Sequence, residues 1–395
     1  MNITIVGGGF GGVKTALELA KDSANHITLI TDKPDFQYYP ALYSTATGHS
    51  HLESWVPLSK IFAGINNIDV QLDTINSIDP MAKTLQAASG KQYGYETCVL
   101  ALGTVTTYFG IKGLDQFAYG IKSAAEITKL KQHIYTDLVK NRAMDKHYVV
   151  IGAGPTGVEL SAALGSYLNR LCKQYNLKDQ KMQIHLVEAA PRILPRMSEQ
   201  VSVRVEKRLR KLGVSVQLGQ AVESETADQI MVGGKPIESH TVIWTSGVAN
   251  HPFYKNNAAH FTFAPNGRVT VDEHMQAIKD VYVIGDNAAT QYTGLAQTAL
   301  HDALFVAANF KRQAQGKALK PYTAVKPPVV VPVGANWAVF EWHAIRLYGW
   351  IGALLRQAAD VIGYNDVLPI GQALGVWRAR MVKSDDHMID SDSQK

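Results

Sequence analysis

Asn2-Ile3-Thr4-Ile5-Val6-Gly7-Gly8-Gly9-Phe10-Gly11-Gly12 opens the 395-residue chain with an apolar run that ends on a glycine cluster. Residues 2–6 read as a short buried strand. Gly7, Gly9 and Gly12 fit the spacing G-x-G-x-x-G, and Val13, Ala16, Leu17, Leu19 and Ala20 follow at helical spacing. Each glycine in such a strand–turn–helix has a physical task. The first permits the tight turn, the second lets a pyrophosphate approach the backbone, and the third lets helix and strand pack closely. The helix N-terminus then offers free N–H groups and a positive dipole end to phosphates.

The pattern recurs 145 residues further on. His147–Ile151 reads as a strand, Gly152-Ala153-Gly154-Pro155-Thr156-Gly157 as the turn, and Val158, Leu160, Ala163, Leu164 and Leu168 as one helix face. Gly152, Gly154 and Gly157 hold the key positions. The next strand, Gln183 to Val187, ends on Glu188. A carboxylate there accepts hydrogen bonds from a ribose 2′-hydroxyl and repels a 2′-phosphate, so NADH is expected over NADPH. Arg192 lies close enough in sequence to moderate that preference. The first loop has no acid so well placed. Its strand, Ile27 to Ile30, is followed by Thr31 at the ribose position and Asp32 one residue late. Asp32 is the candidate ribose acid, set against a plain turn residue. Two such units predict an α/β fold of two Rossmann-like dinucleotide-binding domains.

Composition excludes several classes. Hydrophobic residues make up 46% and charged residues 18%, ordinary values for a globular protein. The net charge of +5 is too small to argue for nucleic acid. Ala303 to Phe340 contains no acidic residue but has Lys311, Arg312, Lys317, Lys320 and Lys326. That stretch could meet an anionic surface or serve as a solvated connector. The only cysteines, Cys98 and Cys172, stand far apart. They argue against a redox disulfide, an iron–sulfur cluster or any metal site, and fit a reducing compartment. Residues 2–6 being a strand argues against a signal peptide, and no apolar run is long enough to span a membrane.

Further segments resemble the two-domain, glutathione-reductase-like flavoprotein reductases. Val99-Leu100-Ala101-Leu102-Gly103 looks like that family's strand ending in an ATG-like turn. Thr241 to Gly247 (TVIWTSG) looks like its second crossover, and Val281-Tyr282-Val283-Ile284-Gly285-Asp286 like its strand and GD motif. Within this superfamily the chain resembles the type II NADH:quinone oxidoreductases over residues 2–325. The carriers are Phe36-Gln37-Tyr38-Tyr39-Pro40-Ala41-Leu42-Tyr43 with Ala46-Thr47-Gly48, the stretch GAGPTGVEL at 152–160, and Leu295-Ala296-Gln297-Thr298-Ala299-Leu300-His301, which looks like the family's AQxAxQ motif.

The resemblance implies FAD and NADH as cofactors and a quinone as acceptor. It implies FAD contacts from Gly7, Gly9, Gly12, Asp32, Ala101, Gly103, Gly285, Asp286, Ala296 and Gln297. NADH contacts would come from Gly152, Gly154, Gly157, Glu188 and Gly247. Asp286 would bind the ribityl chain, or cap a helix. Glu159, Gln297 and His301 are the candidate catalytic residues. Glu159 supports the superfamily more than the substrate, because relatives that do not reduce quinones carry it too. His301 stands where the family has Gln. It shares a helix face with Gln297, and either bonds a quinone oxygen or packs at the surface without a chemical role. Disulfide reductases of this fold carry a cysteine pair beside the flavin. The corresponding stretch here, Phe36 to His51, is aromatic and has no Cys, so thiol relay chemistry is excluded there.

At the C-terminal end, Ile345 to Ile362 reads as an amphipathic helix. Leu347, Trp350, Ile351, Leu354, Leu355, Ala358, Val361 and Ile362 lie on one arc, and Arg346, Arg356, Gln357 and Asp360 on the other. A second apolar piece runs from Val367 to Val382 with Trp377, Arg378 and Arg380. The apolar face is expected to meet a membrane or, alternatively, to cover the core or a dimer interface. The tail from Ser384 to Lys395 is expected to be disordered. The boundaries expected are 1–110 with 245–325 for FAD, 111–244 for NADH, and 326–383 for membrane association or dimerisation. The leading expectation is a non-proton-pumping NADH:quinone oxidoreductase, a homodimer peripheral to the cytoplasmic face of the membrane, passing hydride from NADH to FAD and then two electrons to quinone. A soluble reductase of ferredoxin, rubredoxin or another small carrier is the alternative. A slow-turnover, NADH-sensing interaction protein is the third.

Overall fold

In the computed structural model, which describes residues 1–177 and 180–383, the strand Asn2–Val6 lies inside a six-stranded sheet. The order is Gln276–Ile278, Val281–Val283, Thr97–Leu100, Asn2–Val6, His26–Thr31, Ile68–Leu72, and only the first of these runs antiparallel to its neighbour. Ile3, Ile5, Ile27, Leu29, Val99 and Leu100 are buried, as both faces of a parallel sheet require. A second, wholly parallel sheet has the order Val214–Leu218, Gln183–Glu188, His147–Ile151, Thr241–Trp244. Each sheet carries its loop helix, Phe10–Leu19 in the first and Pro155–Gln174 in the second.

The chain leaves the first unit through Thr104–Thr106 and returns through Val248–Asn250. These segments pair antiparallel, Thr104 opposite Asn250 and Thr106 opposite Val248. The two connections therefore run side by side, which holds the nucleotide ends of both sheets near one another. Cys98 and Cys172 are both free and buried.

The C-terminal segment departs from the expected single helix. Val329–Pro332, Ala338–Trp342 and Ile345–Gly349 form a three-stranded antiparallel sheet, and the helix begins only at Trp350. A turn with His343 at φ +53° reverses the chain, and Gly349 at φ +78° ends the last strand. Ile345 and Leu347 therefore belong to strand alternation, not to the helical arc. A second helix spans Ile370–Ala379.

The polarity of the helix Trp350–Asn365 is also the reverse of a solvent-facing amphipath. Arg356 and Asp360, read from sequence as the polar outer face, are 7% and 8% exposed, whereas Trp350 is 70% and Leu354 58% exposed. Two glycines allow this docking. A Cβ on Gly352 would lie 2.2 Å from the Ala338 carbonyl oxygen, and one on Gly363 would lie 2.6 Å from the Tyr38 hydroxyl. Val382 O accepts from Ser50 N at 3.1 Å, which brings the end of the segment back onto the first unit. The acidic tail expected at 384–395 lies outside the described residues.

Candidate active site

Both glycine loops carry out the same geometric program. Gly7 and Gly152 have φ of +113° and +99°, backbone that favours glycine. A Cβ on Gly12 would sit 1.9 Å from Gly7 O, and one on Gly157 1.8 Å from Gly152 O, so a larger residue at either would part helix from strand. The middle glycines differ: a Cβ on Gly9 or Gly154 meets nothing within 4 Å. Open space above the middle glycine is what a pyrophosphate resting on the backbone needs. Gly9 and Gly154 are also the N-caps of their helices, and neither helix has a side-chain cap, which leaves the first N–H groups for a phosphate.

A cavity of about 440 Å³ opens on the first loop. Its walls include Gly7, Gly9, Asp32, Ala101, Gly103, Gly285, Asp286 and Ala296, all expected from sequence to touch FAD. Gly12, also expected to touch FAD, does not line the cavity and packs against Gly7 O behind the loop. Asp32 is exposed at the wall, while Thr31 is buried beneath Gly8, where a Cβ would meet its hydroxyl at 2.6 Å. Burial raises the Asp286 carboxyl, an effect opposed by the Arg268 guanidinium, which itself donates to Asp286 O at 2.8 Å. Asp286 therefore sits as a half-buried acceptor, suited to sugar hydroxyls. The helix Ala296–Ala314 also points an uncapped N-terminus at the cavity, through Leu295 and Ala296. These features fit FAD.

In the second unit, Glu188 accepts from Ala153 N at 2.7 Å through one oxygen and from Ala190 N at 2.9 Å through the other. The carboxylate is thereby fixed beside the loop at the ribose position. Arg192 does not moderate it: its guanidinium donates to Met197 O, Pro195 O and Ser202 Oγ within its own loop. Gly247 lies on the returning connection with φ +70°. Thr156, from the first turn of the second loop helix, lines the FAD cavity, so the two nucleotide sites share a wall.

The catalytic candidates are dispersed. Glu159 is buried on the second loop helix, and its Oε1 accepts from Arg356 Nη1 at 3.1 Å. Arg356 also donates to Asp360 at 3.1 Å and to Pro40 O at 2.6 Å, and Arg380 reaches Asp360 at 3.3 Å. Burial raises the Glu159 carboxyl above the usual range, with Arg356 opposing. Gln297 is exposed and His301 half-buried, and neither lines the cavity. The His301 Nε2 lies 3.0 Å from Thr323 O, the geometry of an N–H donated to that carbonyl. Among the described residues no group of three or more His, Cys, Asp or Glu is placed to hold a metal.

Sequence reasoning missed Arg356, Gln37, Tyr39 and Lys122, the last three of which line the cavity. A signal for Arg356 did exist. Glu159 sits among Val158, Leu160 and Ala162, and an acid in so apolar a helix needs a cation.

Two dinucleotide sites sharing a wall, one shaped for FAD and the other for NADH, define a flavin- and nicotinamide-linked oxidoreductase. Residues 1–303 match the family model for pyridine nucleotide-disulphide oxidoreductases. A type II NADH:quinone oxidoreductase of Mycobacterium tuberculosis is 30% identical, over 92% of this chain and 85% of that protein. One from Staphylococcus epidermidis is 28% identical, over 94% of this chain and 97% of its own length. Among solved structures, NDH2 from Plasmodium falciparum in complex with NADH superposes with a TM-score of 0.85 at 17% identity, covering 96% and 97% of the two chains. The sulfide:quinone oxidoreductase of Aquifex aeolicus gives 0.79 at 18% identity, covering 99% and 93%. At those identities the superpositions speak for the fold. The chain belongs to the pyridine nucleotide-disulphide oxidoreductase family, in its type II NADH:quinone oxidoreductase branch.

Proposed function

We propose that this protein is a non-proton-pumping NADH:quinone oxidoreductase working at a membrane surface. The observation that carries the redox half is the shared wall: Thr156 of the NADH loop helix lines the cavity built by the FAD loop. FAD, when bound, supplies the two-electron chemistry linking NADH to the acceptor. The chain's own residues bind, orient and screen. Gly9 and Gly154 admit the phosphates, Glu188 selects the unphosphorylated ribose, and Asp286 takes the ribityl hydroxyls. The uncapped helix N-terminus at Ala296 favours negative charge at its end of the cavity.

The quinone half rests on the relatives' activity and on three features. The aromatic stretch Phe36 to His51 has no cysteine pair to divert electrons. Gln297 is exposed one residue beyond the cavity-lining Ala296, within reach of an incoming ring. Trp350, Ile351, Leu354, Ile362 and Ile370 form an outward apolar surface on the last two helices, suited to the headgroup boundary of a bilayer where quinones dissolve. Among the described residues no helix is long and apolar enough to cross a membrane, so contact there is peripheral. Glu159, held by Arg356, is the acid nearest the shared wall in sequence and our choice for proton management. His301 keeps a secondary place, because its ring already serves Thr323.

One observation favours a second reading. The acid-free stretch exposes Lys311, Lys317, Lys320 and Lys326, which would also suit an acidic electron-carrier protein. Anaerobic reduction of the purified holoprotein by NADH, followed by a soluble quinone, separates the two. Rapid flavin reoxidation by quinone alone is expected. Flavin that stays reduced until a ferredoxin-like carrier is added would overturn the quinone assignment.

A further inference from the structure

Lys122 lines the flavin cavity and belongs to neither glycine loop. It lies just before the helix Ala124–Thr136, on the connection leading into the second unit. Its backbone is held at both ends. Glu126 Oε2 accepts from Lys122 N at 2.6 Å, and the buried Gln37 amide donates to Lys122 O. With the backbone held, the Cα–Cβ bond of Lys122 has a set starting direction, and its ammonium end is placed by the contact with Gly247. The ammonium makes one long hydrogen bond, to Gly247 O at 3.4 Å, and feels Glu126 and Asp286 only through space. Burial lowers its pKa from the ordinary lysine value, with those two carboxylates opposing. Tyr39, nearby on the same cavity wall, is neutral at working pH, its hydroxyl pushed up first by burial and then by Asp286, Asp32 and Glu126.

The position within the cavity matters. The Gly7–Gly11 loop and Asp32 define the phosphate and adenosine end. Thr156, Val248 and Lys122 belong to the segments joining the two units. Electrons from NADH have to enter where the second loop helix touches the cavity, so the flavin ring belongs at the end where Lys122 stands. Two-electron reduction with uptake of one proton leaves the ring with a single negative charge near neutral pH. A half-buried cation beside it favours that form over the neutral oxidised one, more strongly than an exposed lysine would.

We propose that Lys122 is an electrostatic partner of the flavin ring that raises its two-electron reduction potential. The inference rests on FAD filling the cavity and needs no quinone. Spectroscopic titration of holoprotein with dithionite and indicator dyes tests it without NADH or acceptor, so its failure is distinct from failure of the quinone assignment. At the native midpoint, Lys122→Met and Lys122→Gln are expected to lower the reduced-to-oxidised ratio about tenfold, a fall of about 30 mV. Lys122→Arg should keep at least half of the native effect. Native potentials in both neutral variants would overturn the proposal. So would an arginine variant as low as the methionine one, or loss of FAD from both neutral variants in an otherwise folded chain, which would make Lys122 a binding residue instead.

Discussion

Glu188 spends each carboxylate oxygen on a backbone N–H, one of them in the glycine loop itself. Its removal should therefore loosen the loop as well as the ribose contact. Glu188→Ala is expected to raise KM for NADH about tenfold or more, the scale of a hydrogen bond to a charged group, with kcat changed far less. The NADH-to-NADPH ratio of kcat/KM should narrow; an unchanged ratio would show that specificity lies elsewhere. This residue was legible because it ends the strand that follows the glycine-loop helix, a pattern contained within one strand–helix–strand unit. So were the six loop glycines. Arg356 itself was not: Glu159 called for a cation, but the one that answers lies 197 residues away and only the fold brings them together.

Glu53 is a second buried acid, with Oε1 unpartnered among the described residues. Its pKa is pushed up to about 7 by burial, against a hydrogen bond from Ser44 and the charge of Arg380. The native state then binds the proton more tightly than the unfolded chain. That contribution is complete below about pH 4.5 and is lost as pH rises toward 7. Glu53→Gln, which cannot ionise, should stabilise the protein at about pH 8 by roughly 3 kcal/mol relative to wild type. Near pH 4.5 the two should melt almost together. Parallel melting curves across that range would show the carboxyl to be ordinary.

At the scale of elements, the helix Trp350–Asn365 is held by backbone approach as much as by charge. Gly352→Ala would drive a Cβ against the Ala338 carbonyl and should cost about 1–3 kcal/mol. Gly371→Ala, in the next helix and with nothing within 4 Å of its Cβ, should be neutral or slightly stabilising. Equal melting points for the two variants would contradict this docking. Leu354→Ser combined with Ile362→Ser alters only exposed positions. It should leave the unfolding free energy within about 1 kcal/mol of native while weakening sedimentation with anionic vesicles by tenfold or more. If it instead changes the protein's mass in solution and not its vesicle binding, that surface is a subunit interface. Helical periodicity found the apolar arc of this element but gave it the wrong start. Residues 345–349 satisfy strand alternation equally well, and Gly349 decides between them. Periodicity also cannot tell which side faces in, because a buried ion pair and a wet one read alike in a sequence.

Across the whole molecule, the two nucleotide sites belong to separate sheets and should act separately on stability. FAD and NADH, each at about 100 times its Kd, should each add about 2.7 kcal/mol. Gly9→Val projects its side chain into empty cavity space, so the apoprotein should fold normally. It should lose the FAD increment and keep the NADH increment. Loss of both would mean that the second site depends on the first being filled.

The pairing of Glu159 with Arg356 also bears on how this protein could be handled. Deleting the terminal helices looks like the direct route to a freely water-soluble preparation, since they carry the greasy exterior. The cut would take away the Arg356 guanidinium paired with Glu159, strip the cover from Tyr38 and leave an uncompensated acid in an apolar helix at the nucleotide core. A detergent-free variant is better sought by repainting Trp350, Leu354, Ile362 and Ile370 with polar side chains. That leaves the inner face, and the scaffold it clamps, untouched.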